Sequence, residues 1–261
     1  MGYKWIPFAD RYKVPGETIN APIDFNITRG AGKDVVKFLR AIAHWVLTLR
    51  KPAILNFRNT DKFYVPGAIL LFAELDRIIS LSELTKPIKI IDPIKRRPRE
   101  VMKQIGIHQL SGDNSEITPT RHDVVFWKAV KGSNQTGDSI GHILEYVAEK
   151  TNKEHARKIE LTGIWRGISE AVANTVEHDY LSPRADGFQG LADTKWWMFT
   201  QLRDQRFTAA VCDLGCGYRS TVNNTIPQEF IARIASLLNR QNSDVQAIET
   251  AMEYGRSVTK L

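Results

Sequence analysis

Apolar residues in the first half of the chain fall into short runs of strand length and longer stretches with helical spacing. Three short runs bounded by turn residues predict strands: 53–57, 88–92 and 123–130. Three longer stretches predict helices: 34–49, 65–80 and 99–105. Gly106 follows the last of these in the position where a helix commonly ends. Residues 1–30, rich in turn residues, predict an irregular lead-in. Strands alternating with helices indicate an α/β domain.

The second half of the chain has a different order of elements. Residues 131–138 are polar and turn-rich, which predicts a boundary between one domain at 1–135 and another at 136–261. Two helices, two adjacent strands and two further helices are then predicted: 139–151, 154–178, 195–202, 206–213, 228–238 and 245–254. Helices on one sheet formed around a hairpin indicate an α+β two-layer sandwich.

Composition narrows the class of protein. The 261 residues include 36 Lys and Arg against 29 Asp and Glu, a net charge of +7 that permits binding of nucleotides or nucleic acid. Two cysteines exclude a disulfide scaffold and favour a reducing compartment. The most apolar stretch, 68–81, is broken by Glu74, Asp76 and Arg77, and no signal-peptide pattern opens the chain. We therefore expect a cytoplasmic protein with no membrane segment.

The helix predicted at 154–178 carries three polar residues at helical spacing. Glu170, Asn174 and His178 follow one another at intervals of four, within an arc of about 80°. The adjacent arc is predicted to face the core and holds Ile164, Ile168, Ala171, Val172 and Thr175. We expect the polar residues to flank this buried stripe, half sheltered. An amide oxygen there would reach a metal ion.

The second strand of the predicted hairpin ends in an aspartate followed by two glycines. Asp213, Gly215 and Gly217 form the pattern D-x-G-x-G. A carboxylate at a strand end accepts a hydrogen bond from an exocyclic amine, and glycines let a flat ring approach the backbone.

Together these residues resemble the GHKL family of ATP-binding proteins, which have the Bergerat fold. The family's N-box, E-x-x-x-N on a helix, matches Glu170 and Asn174, and the extended form of the anti-sigma kinases matches Ala171, His178 and Tyr180 as well. The D-x-G-x-G box of the family matches Asp213, Gly215 and Gly217. The order of helix, hairpin and glycine box also agrees.

The resemblance implies a role for each matching residue. Asn174 would coordinate the Mg²⁺ that bridges the phosphates of ATP, and Glu170 would act as the catalytic base toward water. Asp213 would bind the adenine amine, and Gly215 and Gly217 would shape the pocket around the base. His178 would support the phosphates or the helix.

The family's third glycine motif, which forms a lid over the triphosphate, does not occur before Leu261. The last strands of the sheet are missing as well, so we expect the chain to be a fragment of a longer protein. Residues 53–110 weakly resemble STAS-like domains, which occur beside GHKL domains in bacterial regulators. The resemblance thus implies an ATP- and Mg²⁺-dependent switch acting on a protein partner, with a homodimer and slow hydrolysis left open.

Two alternatives remain open. One is a serine kinase of the anti-sigma kind, since the same boxes serve that enzyme. The other is a nucleic-acid-binding effector that uses the basic residues between Lys86 and Lys103. No aromatic residue is interleaved in this cluster, which favours a solvated face over a nucleic-acid site. Of the adjacent Trp196 and Trp197, alternation along a strand places one in the core and the other outward.

Overall fold

The computed structural model describes residues 18–28, 32–114, 127–133, 141, 145, 161–179, 183–184, 187, 194–203, 206–217, 229 and 232. The helices predicted at 228–238 and 245–254 lie outside the described residues, apart from Glu229 and Ala232, which are helical. The chain divides into two compact units: Met1–Val130 with Met198–Ala210, and Lys131–Trp197 with Val211–Leu261. The fold is of mixed α/β type.

The first unit is built on a parallel sheet. Its strands, in spatial order, are β1 (Thr18–Asn20), β3 (Ala53–Asn56) and β5 (Ile88–Ile91). Thr18 pairs with Ile54, which pairs with Lys89. Two shorter strands, β2 (Asp24–Phe25) and β4 (Lys62–Phe63), form a second parallel pair.

The predicted irregular lead-in is therefore wrong for β1 and β2. These strands have two or three residues each, so their own sequence carries almost no periodic signal. Their conformation is set by the ladders that they form with β3 and β4. The strands predicted at 53–57 and 88–92 are confirmed to within one residue.

Three helices of the first unit follow the predictions in outline: α1 (Gly32–Ala43), α2 (Val65–Leu81) and α3 (Arg96–Gln104). A fourth, α4 (Ile107–Leu110), was not predicted. A π-helical turn, His44–Thr48, continues α1, so the helix predicted at 34–49 changes character in its last third. Gly106 has a φ of 85° after the end of α3, as the sequence predicts.

The core of the first unit is aromatic where β2 meets the helices. The rings of Phe25 and Phe63 stack with centroids 4.9 Å apart, and the ring of Phe38 meets Phe25 edge-on at 5.8 Å. Phe25 and Phe57 are completely buried. α2 crosses this core closely: a Cβ on Gly67 would lie 2.2 Å from the carbonyl oxygen of Phe25.

α2 is buried on nearly every side, including its charged residues. Glu74, Asp76 and Arg77 interrupt the apolar pattern in the sequence, yet all three are buried. Nε and Nη2 of Arg77 each lie 2.8 Å from Oε2 of Glu74, so these two charges form an ion pair within the helix. A buried ion of either sign requires such a partner.

A second three-stranded sheet has the spatial order β6 (Lys128–Gly132), β7 (Trp196–Arg203) and β8 (Arg206–Asp213). The predicted hairpin strands are confirmed within one residue. β6 extends to Gly132, so a strand occupies the start of the polar stretch predicted to be a boundary.

Trp196 and Trp197 are both completely buried, so the expectation that one of them faces outward is wrong. β7 is the central strand of its sheet, and both of its faces are covered at this point. Gly132 of β6 makes room for Trp196, because a Cβ there would lie 2.3 Å from the indole ring. Neither tryptophan is available to stack on a base.

One further helix, α5 (Leu161–Asn174), lies in the second unit. Among the helices that the structure describes, none combines the length and apolar character needed to cross a bilayer.

Candidate functional site

The helix predicted to carry the N-box residues is confirmed. α5 buries Ile168 and Val172, and Thr175, which immediately follows its end, is buried as well. These three positions recur at intervals of three and four, the spacing of one helix face. Ile164 and Ala171, also predicted for this face, are half-buried.

Glu170 and Asn174 are exposed, so the prediction that they are half sheltered is wrong. At about 100° per residue, Glu170 points about 200° away from Ile168, almost opposite the buried face. Glu170 and Asn174 share one side of α5, but their offset from the core is wider than expected. The carboxylate and the amide stand one helical turn apart on the open side of α5.

A π-helical turn, Thr175–Asp179, continues α5 directly after Asn174. The hydroxyl of Thr175 donates a hydrogen bond to the carbonyl of Ala171 at 3.0 Å, a local bond that competes with regular helix geometry. π-helical turns are rare and occur often at functional sites. His178 lies in this turn, so the α-helical spacing that placed it in the arc of Glu170 and Asn174 does not continue to it.

β8 places Asp213 at its last position, and the carboxylate then shapes the following turn. Oδ1 of Asp213 accepts a hydrogen bond from the backbone N–H of Gly215 at 3.0 Å. This is an Asx turn, in which the side chain replaces a backbone acceptor. Among the described residues, Oδ2 of Asp213 has no hydrogen-bond partner. The half-buried carboxylate therefore holds its own turn with one oxygen only.

Gly217 closes the same turn with a φ of 82°, a left-handed conformation that favours glycine. A Cβ at this position would have nothing within 4 Å, so the need for glycine is conformational. Gly215 has no such φ, and its value to the turn lies in the N–H that it donates to Asp213. The structure thus brings Asp213, Gly215 and Gly217 together in one turn.

Two cysteines flank this turn. Sγ of Cys212 lies 3.3 Å from the carbonyl oxygen of Asp213, and Cys216 is buried beside Gly217. Across the described residues, no group of three or more His, Cys, Asp and Glu side chains is placed to hold a metal ion. Glu170 and Asn174, the residues expected at the phosphates and the metal, are exposed on α5.

The basic stretch between Lys86 and Lys103 is largely engaged within the first unit. Ammonium groups of Lys95 and Lys103 lie 2.7 and 2.9 Å from the carboxylates of Asp61 and Asp113. Arg96 pairs with Glu100 at 2.6 Å, and the guanidinium of Arg99 donates to the carbonyls of Pro93 and Ile94. These contacts neutralise or occupy most of the cluster, which disfavours a nucleic-acid interface there.

A buried histidine of the first unit, His108, contacts Asp92, and the sequence did not predict this pair. Nε2 of His108, on α4, lies 2.6 Å from Oδ1 of Asp92, which follows β5. Nδ1 of His108 is buried without a hydrogen-bond partner. Burial lowers the pKa of His108 below its usual value, against the opposing effect of Asp92. This bond ties α4 to the end of β5, and no spacing in the sequence announces it.

Comparison with protein-family models, with curated proteins and with solved structures finds no match for this chain. The resemblance to GHKL proteins therefore rests on the residues of the two boxes and on the order of the elements that carry them.

Proposed function

We propose that residues 136–261 form a Mg²⁺-dependent ATP-binding domain of the GHKL type, with the Bergerat fold, in a bacterial cytoplasmic regulator. ATP binding drives a conformational or partner switch, and hydrolysis is slow. The observation that carries the proposal is the turn at Asp213, where one carboxylate oxygen accepts the N–H of Gly215. We assign the other oxygen, Oδ2, to an adenine amine.

The geometry of that turn supports selection of adenine over guanine. The exocyclic amine of adenine is a donor and matches the acceptor Oδ2 of Asp213. Guanine has a carbonyl oxygen at the equivalent ring position, which would face the carboxylate as a second acceptor. The left-handed Gly217 ends the turn without a side chain, so the base can approach the backbone.

Because Glu170 and Asn174 are exposed, we place the phosphates of ATP on the open side of α5, where another segment would cover them. The amide oxygen of Asn174 would hold Mg²⁺ against the phosphates, as hard oxygen ligands do. Glu170, one turn earlier, would orient or deprotonate the attacking water. The chemistry that Mg²⁺ supplies is neutralisation of charge on the phosphates. The net charge of +7 also favours a polyphosphate ligand.

Replacement of Asp213 by Asn tests the adenine role sharply. Asparagine has one acceptor oxygen, so either Gly215 loses its acceptor or the adenine amine meets a second donor. We expect a loss of about 1–3 kcal/mol, which is about 5- to 150-fold in affinity. Calorimetry with a non-hydrolysable ATP analogue measures it. Wild-type affinity in Asp213→Asn would rule out the adenine role.

Replacement of the two residues on α5 tests the phosphate end. Glu170→Ala should abolish phosphate release and leave binding of the analogue unchanged. Asn174→Ala should remove the gain in affinity that Mg²⁺ provides, with binding in chelator unchanged. Glu177→Ala, which removes an exposed carboxylate from the following turn, is the control and should behave as wild type. Equal Mg²⁺ dependence in wild type and Asn174→Ala would contradict the metal role.

A further inference from the structure

Two isoleucines of the first unit are largely exposed to solvent. Ile94 is 67% exposed and Ile23 is 64% exposed, the highest values among the large apolar side chains that the structure describes. Single exposed apolar residues are ordinary, so the two isoleucines carry an argument only together with the charged groups around them. Ile23 follows β1 and Ile94 follows β5, so both lie in loops at the carboxyl edge of the parallel sheet.

One ordered turn separates the two isoleucines and holds both loops. The carbonyl of Ile23 accepts hydrogen bonds from the N–H groups of Asp61 and Lys62, at 2.7 and 3.3 Å. The N–H of Ile94 donates to the carbonyl of Arg58 at 3.1 Å. Thr60, buried in the middle of the turn, donates to the carbonyl of Pro22 at 2.8 Å. The isoleucines are therefore held by backbone bonds on either side of residues 58–61.

The same turn is surrounded by cations. The ammonium group of Lys95 lies 2.7 Å from Oδ1 of Asp61. The pKa of Asp61 is lowered chiefly by this bond to Lys95, with smaller contributions from the charges of Lys62 and Arg97. Arg58 and Lys62 are exposed, and among the described residues neither has a carboxylate partner. Asp61 thus faces Lys95, Lys62 and Arg97, and with the exposed Arg58 these basic groups outnumber it.

We propose that this surface, formed by Ile23, Arg58, Lys62, Ile94 and Lys95, docks an acidic segment of a partner protein that also carries apolar side chains. The charge selects an acidic partner, and burial of the two isoleucines supplies the non-polar contact. The surface lies wholly within the first unit, and its occupancy requires no nucleotide. If this proposal fails, the proposed binding of ATP at Asp213 is unaffected.

Two other occupants fit less well. A nucleic acid would gain from the cations, but the aliphatic side chains offer no stacking surface for bases. A second copy of the chain, paired about a two-fold axis through this surface, would bring its cations against themselves. An acidic segment with apolar residues satisfies both the charge and the exposed isoleucines.

The test uses the full chain, labelled with a fluorophore, on an array of 12-residue peptides at about 0.15 M salt. Three peptide compositions are compared: Asp and Glu with Leu and Ile, Asp and Glu with Ser, and Lys with Leu and Ile. We expect retention by the first composition, with at least tenfold less signal on the other two. Equal retention by acidic peptides with Ser, or no retention by the first composition, would overturn the proposal.

Variants locate the binding on the chain. Ile23→Ser with Ile94→Ser, and separately Arg58→Glu with Lys62→Glu, should each reduce retention at least tenfold. The control pair, Val36→Ser with Lys37→Glu, changes an exposed apolar and an exposed basic residue on α1 and should bind as wild type. The changed positions are exposed, so thermal unfolding should match wild type in every variant. Wild-type retention by both patch variants would overturn the proposal.

Two further measurements address the other occupants. We expect a 20-base-pair DNA duplex to leave the peptide signal unchanged. We also expect sedimentation to show no self-association through the two isoleucines, that is, none that the variant Ile23→Ser with Ile94→Ser would abolish. Competition by the duplex that depends on Arg58 and Lys62 would identify a nucleic-acid surface instead. Self-association lost in the isoleucine variant would identify a contact between copies.

Discussion

Replacement of Gly67 by Ala is the sharpest test of packing in the first unit. Gly67 is the third residue of α2, where alanine would ordinarily stabilise a helix by about 1 kcal/mol. Here a Cβ would lie 2.2 Å from the carbonyl oxygen of Phe25 and 2.6 Å from its carbonyl carbon. Real Cβ atoms keep at least about 3.0 Å from such neighbours, so the backbone of β2 or of α2 has to move.

Several contacts resist that movement. The carbonyl of Phe25 accepts the N–H of Tyr64 at 3.1 Å, a bond that fixes the start of α2. The ring of Phe25 is fully buried and stacks against Phe63 and Phe57, with centroids 4.9 and 5.7 Å away. Displacement of Phe25 therefore disturbs both the hydrogen bond and the aromatic core.

The magnitude follows from these contributions. Overpacking costs about 1–3 kcal/mol, and weakening of the Tyr64 bond adds about 1 kcal/mol. The gain in helix propensity offsets about 1 kcal/mol. We expect Gly67→Ala to lower the free energy of unfolding of the first unit by about 1–3 kcal/mol, which lowers Tm by several degrees.

The assay is thermal and urea unfolding followed by circular dichroism, with Gly163→Ala as the matched control. Gly163 is exposed within α5, and a Cβ there would meet nothing within 4 Å. That variant should therefore gain up to about 1 kcal/mol. If Gly67→Ala proves as stable as Gly163→Ala, the close approach of α2 to β2 is refuted.

Two further predictions concern charged groups of the first unit. Arg77→Met should lower the free energy of unfolding by about 3–5 kcal/mol because it removes the cation that forms an ion pair with the buried carboxylate of Glu74. Glu74→Gln in the same chain should restore part of the loss in a double-mutant cycle. The lowered pKa of His108 means that the unfolded chain binds its proton more readily, so stability should fall as pH drops below about 6.5. His108→Gln should flatten that part of the stability profile, and an unchanged slope would show that His108 does not titrate differently on folding.

The sequence predicted those elements whose own residues carry a strong signal. Ala53–Asn56 and Ile88–Ile91 are apolar and bounded by turn residues, so a short buried strand was the natural interpretation. α2 begins after an extended Tyr64 with Pro66 in its first turn, where proline is well tolerated. In these cases local preference and tertiary packing agree.

Elements fixed by distant partners could not be predicted in this way. β1 and β2 owe their extended conformation to pairing with residues more than 30 positions away. The burial of Trp196 and Trp197 depends on β7 being a central strand, and strand order is not visible in a single sequence. Glu74, Asp76 and Arg77 break the apolar run of α2 in the sequence, yet all three are buried, and Arg77 forms an ion pair with Glu74.

For the candidate site, the pattern of polar residues and the pattern of burial carry different information. Apolar spacing correctly identified Ile168, Val172 and Thr175 as the buried side. It did not predict how far Glu170 and Asn174 lie from the buried face, because an arc of about 80° can lie at any angle to the core. Their exposure is consistent with a ligand reaching α5 from its open side. For Asp213 the structure adds what spacing alone lacks: one oxygen accepts the N–H of Gly215, so the proposed adenine contact falls to the other oxygen. Asp213→Asn is an informative test because asparagine keeps only one acceptor oxygen where aspartate has two.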